Sequence, residues 1–247
     1  MKAIILAGGT GSRLYPLTKV TNKHLLPVGK YPMIFHSVYK FKQAGLTDIL
    51  VVTGKEHMGD VVNLLGSGSE MGVSFTYKVQ DEAGGIAQAL GLAEQFVGQE
   101  QMVVILGDNV FADDITPYVN HFRKQKKGAK ILLKEVDNPT RFGVAELQGD
   151  NIVSIEEKPQ FPKSKYAVTG IYMFDHSVFH IIKKLKPSSR GELEITDVNN
   201  AYIERGELTY DILDGWWTDA GTHASLARAN ELTKDVIFGN EFGKLKL

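Results

Sequence analysis

Short aliphatic runs alternate with amphipathic stretches through the first half of the chain. Lys2–Ala7 reads as a buried strand, and residues 32–44 (PMIFHSVYKFKQA) read as a helix with proline near its start and Gly45 closing it. Residues 48–53 (DILVVT) form a second buried run, 56–65 a helix, 73–79 (VSFTYKV) a strand, 85–96 a helix and 101–106 (QMVVIL) another buried strand. Continuous apolar strands separated by helices imply an α/β fold, with a Rossmann-like, mixed but mostly parallel sheet and helices on both faces. The pattern changes after about residue 129. Strands are expected at 130–136, 143–147, 152–156 and 166–174, helices at 177–185 and 194–204, a strand at 208–213 and a closing helix from Thr222. No repeat or linker interrupts this. The chain is therefore expected to form a single domain over 1–247, with a first part (about 1–128) and a second part (about 129–230) built onto the same sheet.

Composition narrows the chemistry. The 247 residues include no cysteine, so disulfides, thiolate metal sites and a cysteine nucleophile are excluded. No apolar run approaches the ~20 residues of a membrane span or the ~7–15 of a leader core, so a soluble, cytoplasmic protein with no membrane partner is expected. Net charge is only −1, yet the first 47 residues contain no Asp or Glu while carrying Lys2, Arg13, Lys19, Lys23, Lys30, Lys40 and Lys42. A cationic segment in a near-neutral chain suggests a local anion site, and dispersed basic residues argue against a nucleic-acid partner.

The stretch ILAGGTGSRLYPLT (residues 5–18) places glycines, hydroxyls and an arginine directly behind the first strand. It is not a P-loop, because the G-x-x-x-x-G-K-[ST] spacing is missing. The dinucleotide fingerprint fails too, since Leu14 stands at its third glycine and the first carboxylate is Asp48. What remains is a loop whose backbone N–H groups can form an anion nest, beside an arginine able to grip phosphate with two donors. A tight strand-to-helix turn with a surface arginine is the plainer alternative. Elsewhere, Asp108 follows a buried strand and suits a hard cation, though it could equally be a turn aspartate. Asp219 could cap the closing helix. Gln80 offers one donor group and one acceptor to a ligand. His176 and His180 are four residues apart, but no third ligand accompanies them, and Trp216 and Trp217 could stack on a sugar but read first as packing residues.

GGTGSRLYPLT followed by NKHLLPV (22–28), LGDN (106–109), EEKP (156–159), YAVTGIYMFD (166–175), RGELEITDVN (190–199) and WTDAGTH (217–223) occur in order. Together they resemble the sugar-phosphate nucleotidyltransferases, and within them the pattern of glucose-1-phosphate thymidylyltransferases. The resemblance implies the nucleotide-diphospho-sugar transferase fold. It implies dTTP and glucose-1-phosphate as small-molecule substrates, Mg²⁺ as cofactor, and dTDP-glucose and pyrophosphate as products, a first step toward dTDP-rhamnose or related deoxysugars of polysaccharides. Carried over residue by residue, Arg13, Lys23, Asp108 and Asp219 would be catalytic, the two aspartates holding the metal. Leu6, Gly8, Gly9, Thr10, Gly11, Ser12, Arg13, Lys23, Gln80 and Gly85 would contact the nucleotide, Gln80 and Gly85 at the base. Lys158 and Arg190 would take the sugar phosphate, and Asn109, Gly143, Glu157 and Val168 the hexose.

Two departures stand out. The pattern SKQLLPVYDKPM is here NKHLLPVGKYPM (22–33), with His24 at a glutamine position. Longer relatives carry C-terminal helices that contribute to a subunit interface and a regulatory nucleotide site, whereas 234–247 alone follow the last motif. The resemblance then implies weak or absent feedback by dTDP-rhamnose, and a homo-oligomer that is a dimer rather than a tetramer. A uridylyltransferase, another sugar-1-phosphate specificity, or a catalytically silent nucleotide-sugar sensor remain as alternatives.

Overall fold

The computed structural model describes residues 1–239 and 242; the rest of the segment after the last motif lies outside the described residues. In chain order the first half contains β1 (Lys2–Ala7), β2 (Pro27–Val28), β3 (Tyr31–Pro32), α1 (Met33–Gln43), β4 (Asp48–Gly54), α2 (Met58–Leu65), β5 (Ser74–Gln80), α3 (Ile86–Gly91), α4 (Glu94–Val97), β6 (Met102–Leu106), β7 (Asn109–Phe111) and α5 (Thr116–Lys124). The second half contains β8 (Ala129–Glu135), β9 (Gly143–Gln148), β10 (Asn151–Glu157), β11 (Tyr166–Phe174), α6 (Val178–Ile182), α7 (Ile195–Glu204), β12 (Leu208–Ile212), β13 (Trp217–Asp219) and α8 (His223–Thr233).

Nine strands form one sheet in the order β10-β9-β11-β6-β1-β4-β5, with β8 on β11 and β12 on β8. β6, β1, β4 and β5 are parallel to one another, and β8 and β12 form a further parallel pair. Only β10 and β11 run against the other strands of this sheet, so it is mixed and mostly parallel. The β11–β6 pairing joins the two halves through main-chain hydrogen bonds.

Strand side chains alternate between faces, and β1 shows what that builds. Ala3, Ile5 and Ala7 pack under α1, α2 and α5, whereas Ile4 and Leu6 pack under α3, α6 and α7. Each fully buried aliphatic side chain contributes roughly 1.5–3 kcal/mol, so a strand buried on both faces is anchored from both sides. Among the described residues, no helix is long and apolar enough to cross a membrane.

Local differences from the sequence pattern have physical causes. The stretch expected as one helix at 85–96 is two, α3 and α4, broken after Gly91, where glycine costs about 1 kcal/mol relative to alanine. α5 carried too few apolar residues to stand out. It buries Val119 and Phe122 and displays His121, Arg123 and Lys124 in its last turn. The β2–β3 and β7–β13 pairs have strands of two or three residues, too short to show a period. α8 starts where expected, with Thr222 as its N-cap in a reciprocal capping box with Ser225. Asp219 is thus not the cap.

Candidate active site

The carboxyl ends of β1, β5 and β6 open into one cavity of about 350 Å³, the position at which open α/β sheets bind ligands. Its floor is Leu6 and Leu106, and Gly8 and Gly9 of the glycine loop form one wall with Arg13 and Lys23. Asp108, Asn109, Asp219, Gln80, Gly85, Gly143, Glu157 and Val168 also line it. Thirteen residues proposed from sequence therefore meet at one place. Thr10, Gly11 and Ser12 belong to the same loop but do not line the cavity; Thr10 and Ser12 are exposed.

Lys23 owes its position to a local device. Residues Lys23–Leu25 form one 3₁₀ turn, and the Asn22 side chain caps it by accepting from His24 N. Asn22 Nδ2 also donates to Ala7 O at 3.2 Å, tying the turn to the end of β1. Lys23 consequently passes under the glycine loop: a Cβ on Gly9 would lie 3.6 Å from Lys23 Nζ. That ammonium bonds Asp108 Oδ2. Burial alone would raise the Asp108 pKa, but the Lys23 charge and further hydrogen bonds outweigh it and bring it down to about 2. His24 stands next in line, buried, with Nδ1 2.6 Å from Asn22 Oδ1. Burial and then the Lys23 charge push its pKa down to about 3, against the pull of Asp108, so the ring is neutral.

Asp108 and Asp219 are brought together by the short β7–β13 pair, in which Asn109 faces Asp219. A Cβ placed on Gly221 would lie 3.2 Å from Arg13 Nη2, 3.4 Å from Asp219 Oδ2 and 3.5 Å from Asp108 Oδ2. Arginine and both aspartates thus converge on the space a glycine leaves free. Burial, and next the like charge of Asp108, raise the Asp219 pKa against Arg141 and Arg13. The pair sits among three cationic side chains of the cavity, Arg13, Lys23 and Arg141, with Glu157 and Glu192 also in its lining.

Asn109 is committed to internal bonds. Its Oδ1 accepts from Trp217 Nε1 at 2.7 Å and from Gly170 N at 3.0 Å, and its Nδ2 donates to Asp108 Oδ1 at 3.0 Å. It lines the cavity and also braces Asp108. Glu157 receives a bond from Thr196 Oγ1 at 2.7 Å. Lys158 and Arg190 are outside the cavity wall, at its edge, each with a nitrogen 3.6 Å from Glu157 Oε1. Lys158 has φ 47°, the one non-glycine residue with positive φ among those described. Such a backbone costs on the order of 1–3 kcal/mol and persists where surrounding structure enforces it; here Lys158 N donates to Phe142 O at 2.9 Å.

Sequence reasoning missed several wall residues. Arg141 ends a 3₁₀ turn, reaches Asp219 Oδ2 at 3.2 Å and lies over the Phe142 ring. Trp217 packs edge-on against Phe142 and is wall as well as packing. Gln88 and Thr196 hold Gln80 and Glu157. Arg141 stands directly before the FGV of β9, so a basic residue next to a proposed sugar-binding glycine was the available signal.

A nucleotidyl transferase family model matches residues 2–236. A glucose-1-phosphate thymidylyltransferase of Neisseria meningitidis serogroup A is 46% identical over 240 residues, covering 96% of this chain and 83% of that protein. A low-salt glycan biosynthesis nucleotidyltransferase of Haloferax volcanii is 41% identical, covering 94% of this chain and 66% of its own. A crystal structure from Bacillus anthracis, named provisionally as a glucose-1-phosphate thymidylyltransferase and bound to a sucrose, is 70% identical with a TM-score of 0.96, covering 98% of this chain and 99% of that one. A UDP-glucose pyrophosphorylase structure at 23% identity shares the fold, with a TM-score of 0.84 over 94% of this chain and 97% of that one. With the family model matching residues 2–236 and a relative 46% identical over 96% of the chain, this chain belongs to the nucleotidyl transferase family.

Proposed function

We propose that this nucleotidyltransferase transfers a thymidylyl group from dTTP to glucose-1-phosphate, giving dTDP-glucose and pyrophosphate. The observation that carries the proposal is the convergence of Arg13, Asp108 and Asp219 around Gly221, in a cavity that Gln80 and Glu157 also line. The relatives named for this activity support it.

An oxygen of the sugar phosphate forms a bond to the α-phosphorus, and the bond to the departing pyrophosphate breaks. With a second pKa near ~6 the attacking phosphate is already largely deprotonated at pH 7, so no general base is required. The barrier lies in bringing two anions together, and positioning and charge neutralisation lower it. Backbone N–H groups of the glycine loop and the Arg13 and Lys23 side chains receive the triphosphate and stabilise the leaving pyrophosphate. Lys158 and Arg190 draw in the sugar phosphate, and Glu157, held by Thr196, accepts from hexose hydroxyls.

The donor set fits Mg²⁺, which is bound by one or two carboxylates together with substrate phosphates and water. Asp108 and Asp219 would hold it, and they face the same glycine-cleared space. Bound there, Mg²⁺ would neutralise phosphate charge and align the reacting groups. Lys23 pairs with Asp108 and Arg141 with Asp219.

Pyrophosphate release with Mg²⁺ and glucose-1-phosphate, compared across dTTP, UTP, CTP, ATP and GTP, tests the proposal. dTTP should lead, with UTP trailing by roughly 10–200-fold or more, since UTP lacks the thymine methyl group and adds a ribose 2′-hydroxyl. Preference for another nucleotide would overturn the base assignment, and no release with any of the five would overturn the activity.

A further inference from the structure

We infer that Gln88, on α3, is the positioning residue that sets base selectivity, by fixing which end of the Gln80 amide faces the base. The inference rests on the proposed role of Gln80 at the base.

A glutamine side chain is nearly symmetric in shape, and its oxygen and nitrogen exchange places by a half-turn. An amide that could turn freely would accept from one base and donate to another. In this protein the ambiguity is removed in steps, starting from the backbone. Gly84 N–H can only donate, and it is shared between Glu82 O at 2.8 Å and Gln88 Oε1 at 3.1 Å. That favours this orientation of Gln88, because its NH₂ group turned to the same place would set donor against donor. The same Oε1 accepts from Gln80 Nε2 at 2.8 Å. Gln80 Nε2 also lies 3.3 Å from Gly85 O, a second acceptor on the same side. Both N–H directions of Gln80 are therefore turned toward α3 and its leading turn. Gln80 Oε1 takes the opposite side, against the glycine loop, where a Cβ on Gly8 would lie only 2.1 Å from it.

The chain of bonds runs from a fixed backbone donor through Gln88 to Gln80 and ends on an oxygen. Gln80 is 7% exposed and lines the cavity, so a base arriving there meets an acceptor in a desolvated setting. Thymine and uracil carry N3–H and can donate to it. Cytosine carries a bare N3, and two lone pairs would then face each other. Buried polar groups left unpaired are the strongest basis for discrimination between ligands of the same shape. The pocket is accordingly selective for a pyrimidine bearing N3–H, and that selectivity is set one residue behind the one that touches the base.

The test measures kcat/KM for dTTP and dCTP, with Mg²⁺ and glucose-1-phosphate, in the intact protein and in variants at both positions. Gln88→Leu and Gln88→Met remove the shorter of the two bonds to Gln80 Nε2 and leave the amide held by Gly85 O alone. The dTTP/dCTP ratio should fall roughly 10–100-fold, by gain on dCTP as well as loss on dTTP. Gln88→Glu keeps an acceptor for both donors and should retain the ratio. A purely structural role for Gln88 would lower both rates in parallel and leave the ratio unchanged, and that result would overturn the inference. Methionine has nearly the shape of glutamine and suits a helix, so Gln88→Met decides the matter if the leucine variant does not fold. Gln80→Leu separates the two levels. If it leaves the ratio unchanged, the base-reading role of Gln80 fails. If it lowers the ratio while both apolar Gln88 variants keep it, the role of Gln88 alone fails.

Discussion

Arg141 Nη2 lies 3.2 Å from Asp219 Oδ2, placing a half-exposed arginine beside one of the two proposed metal-binding carboxylates. An exposed pair of this kind contributes at most about 1 kcal/mol to stability. Its place on the cavity wall gives it more weight in turnover, where a charge-stabilising donor is worth about 2.7–4 kcal/mol. Arg141→Ala should therefore lower kcat/KM by about 10²–10³ with little change in Tm. Steady-state kinetics beside a thermal melt check both halves, and turnover within a few-fold of the original would remove Arg141 from the chemistry.

Asp108→Asn removes a carboxylate but keeps the side chain's shape. We expect a folded protein, by circular dichroism, that has lost most pyrophosphate release. Arg13→Ala should cost about 2.7–4 kcal/mol of transition-state stabilisation. If Arg13→Ala altered only the affinity for sugar phosphate, its assignment to the triphosphate would be wrong.

Trp217 acts on Asp108 at one remove. Its Nε1–H holds Asn109 Oδ1, and Asn109 Nδ2 holds Asp108 Oδ1. Trp217→Phe keeps the ring against Phe142 and deletes the donor. Stability should fall by about 1 kcal/mol, the net worth of a typical hydrogen bond, and kcat should fall more than KM rises. Unchanged kcat would show that Gly170 N alone is enough to hold Asn109.

Gly85 packs against the segment at Glu192 and Leu193, beside the cavity that Gly85 and Glu192 both line. It has φ 100°, and a Cβ there would lie 2.5 Å from Leu193 O. Around it, Leu193 N donates to Gly84 O and Ala87 N donates to Leu193 O. Gly85→Ala should weaken both substrates together, since the loop carrying Glu192 and Glu194 must move. A rise in KM for nucleotide alone would contradict this link.

His36 predicts a pH dependence of stability. The ring is buried on α1 and donates from Nε2 to Val28 O at 3.0 Å. Burial lowers its pKa to about 4, only partly opposed by that hydrogen bond. Above about pH 6.5 the ring is neutral in both folded and unfolded chains. As pH falls toward 4, the unfolded chain takes up a proton that the folded protein refuses, so stability drops, by on the order of 3 kcal/mol at the acid end. His36→Gln should flatten the decline between pH 7 and pH 4.5 in denaturant titrations, and an equally steep decline would assign it to other groups.

Much of the molecule was legible before folding. β1, β4 and β6 announced themselves because a strand buried on both faces is continuously apolar. α8 was legible from Thr222, whose cap is local. The glycine loop, Lys23, Asp108 and Asp219 were recognisable from ordered motifs. α5 and the short β7–β13 and β2–β3 pairs were not legible, because two or three residues carry no period and a polar helix with few apolar positions resembles a loop.

Local patterns along the chain thus determined which segments are strands and helices, since burial periodicity and caps involve neighbours in sequence. The motif resemblance pointed to Asp108 and Asp219 together, but tertiary structure alone decided that Arg141 joins them, that Asn109 is taken up by Trp217 and Gly170, and that Gln88 bonds Gln80. Those relationships depend on strand register and on the packing of segments far apart in the chain. No residue's own neighbourhood in sequence encodes the distance to a partner a hundred positions away.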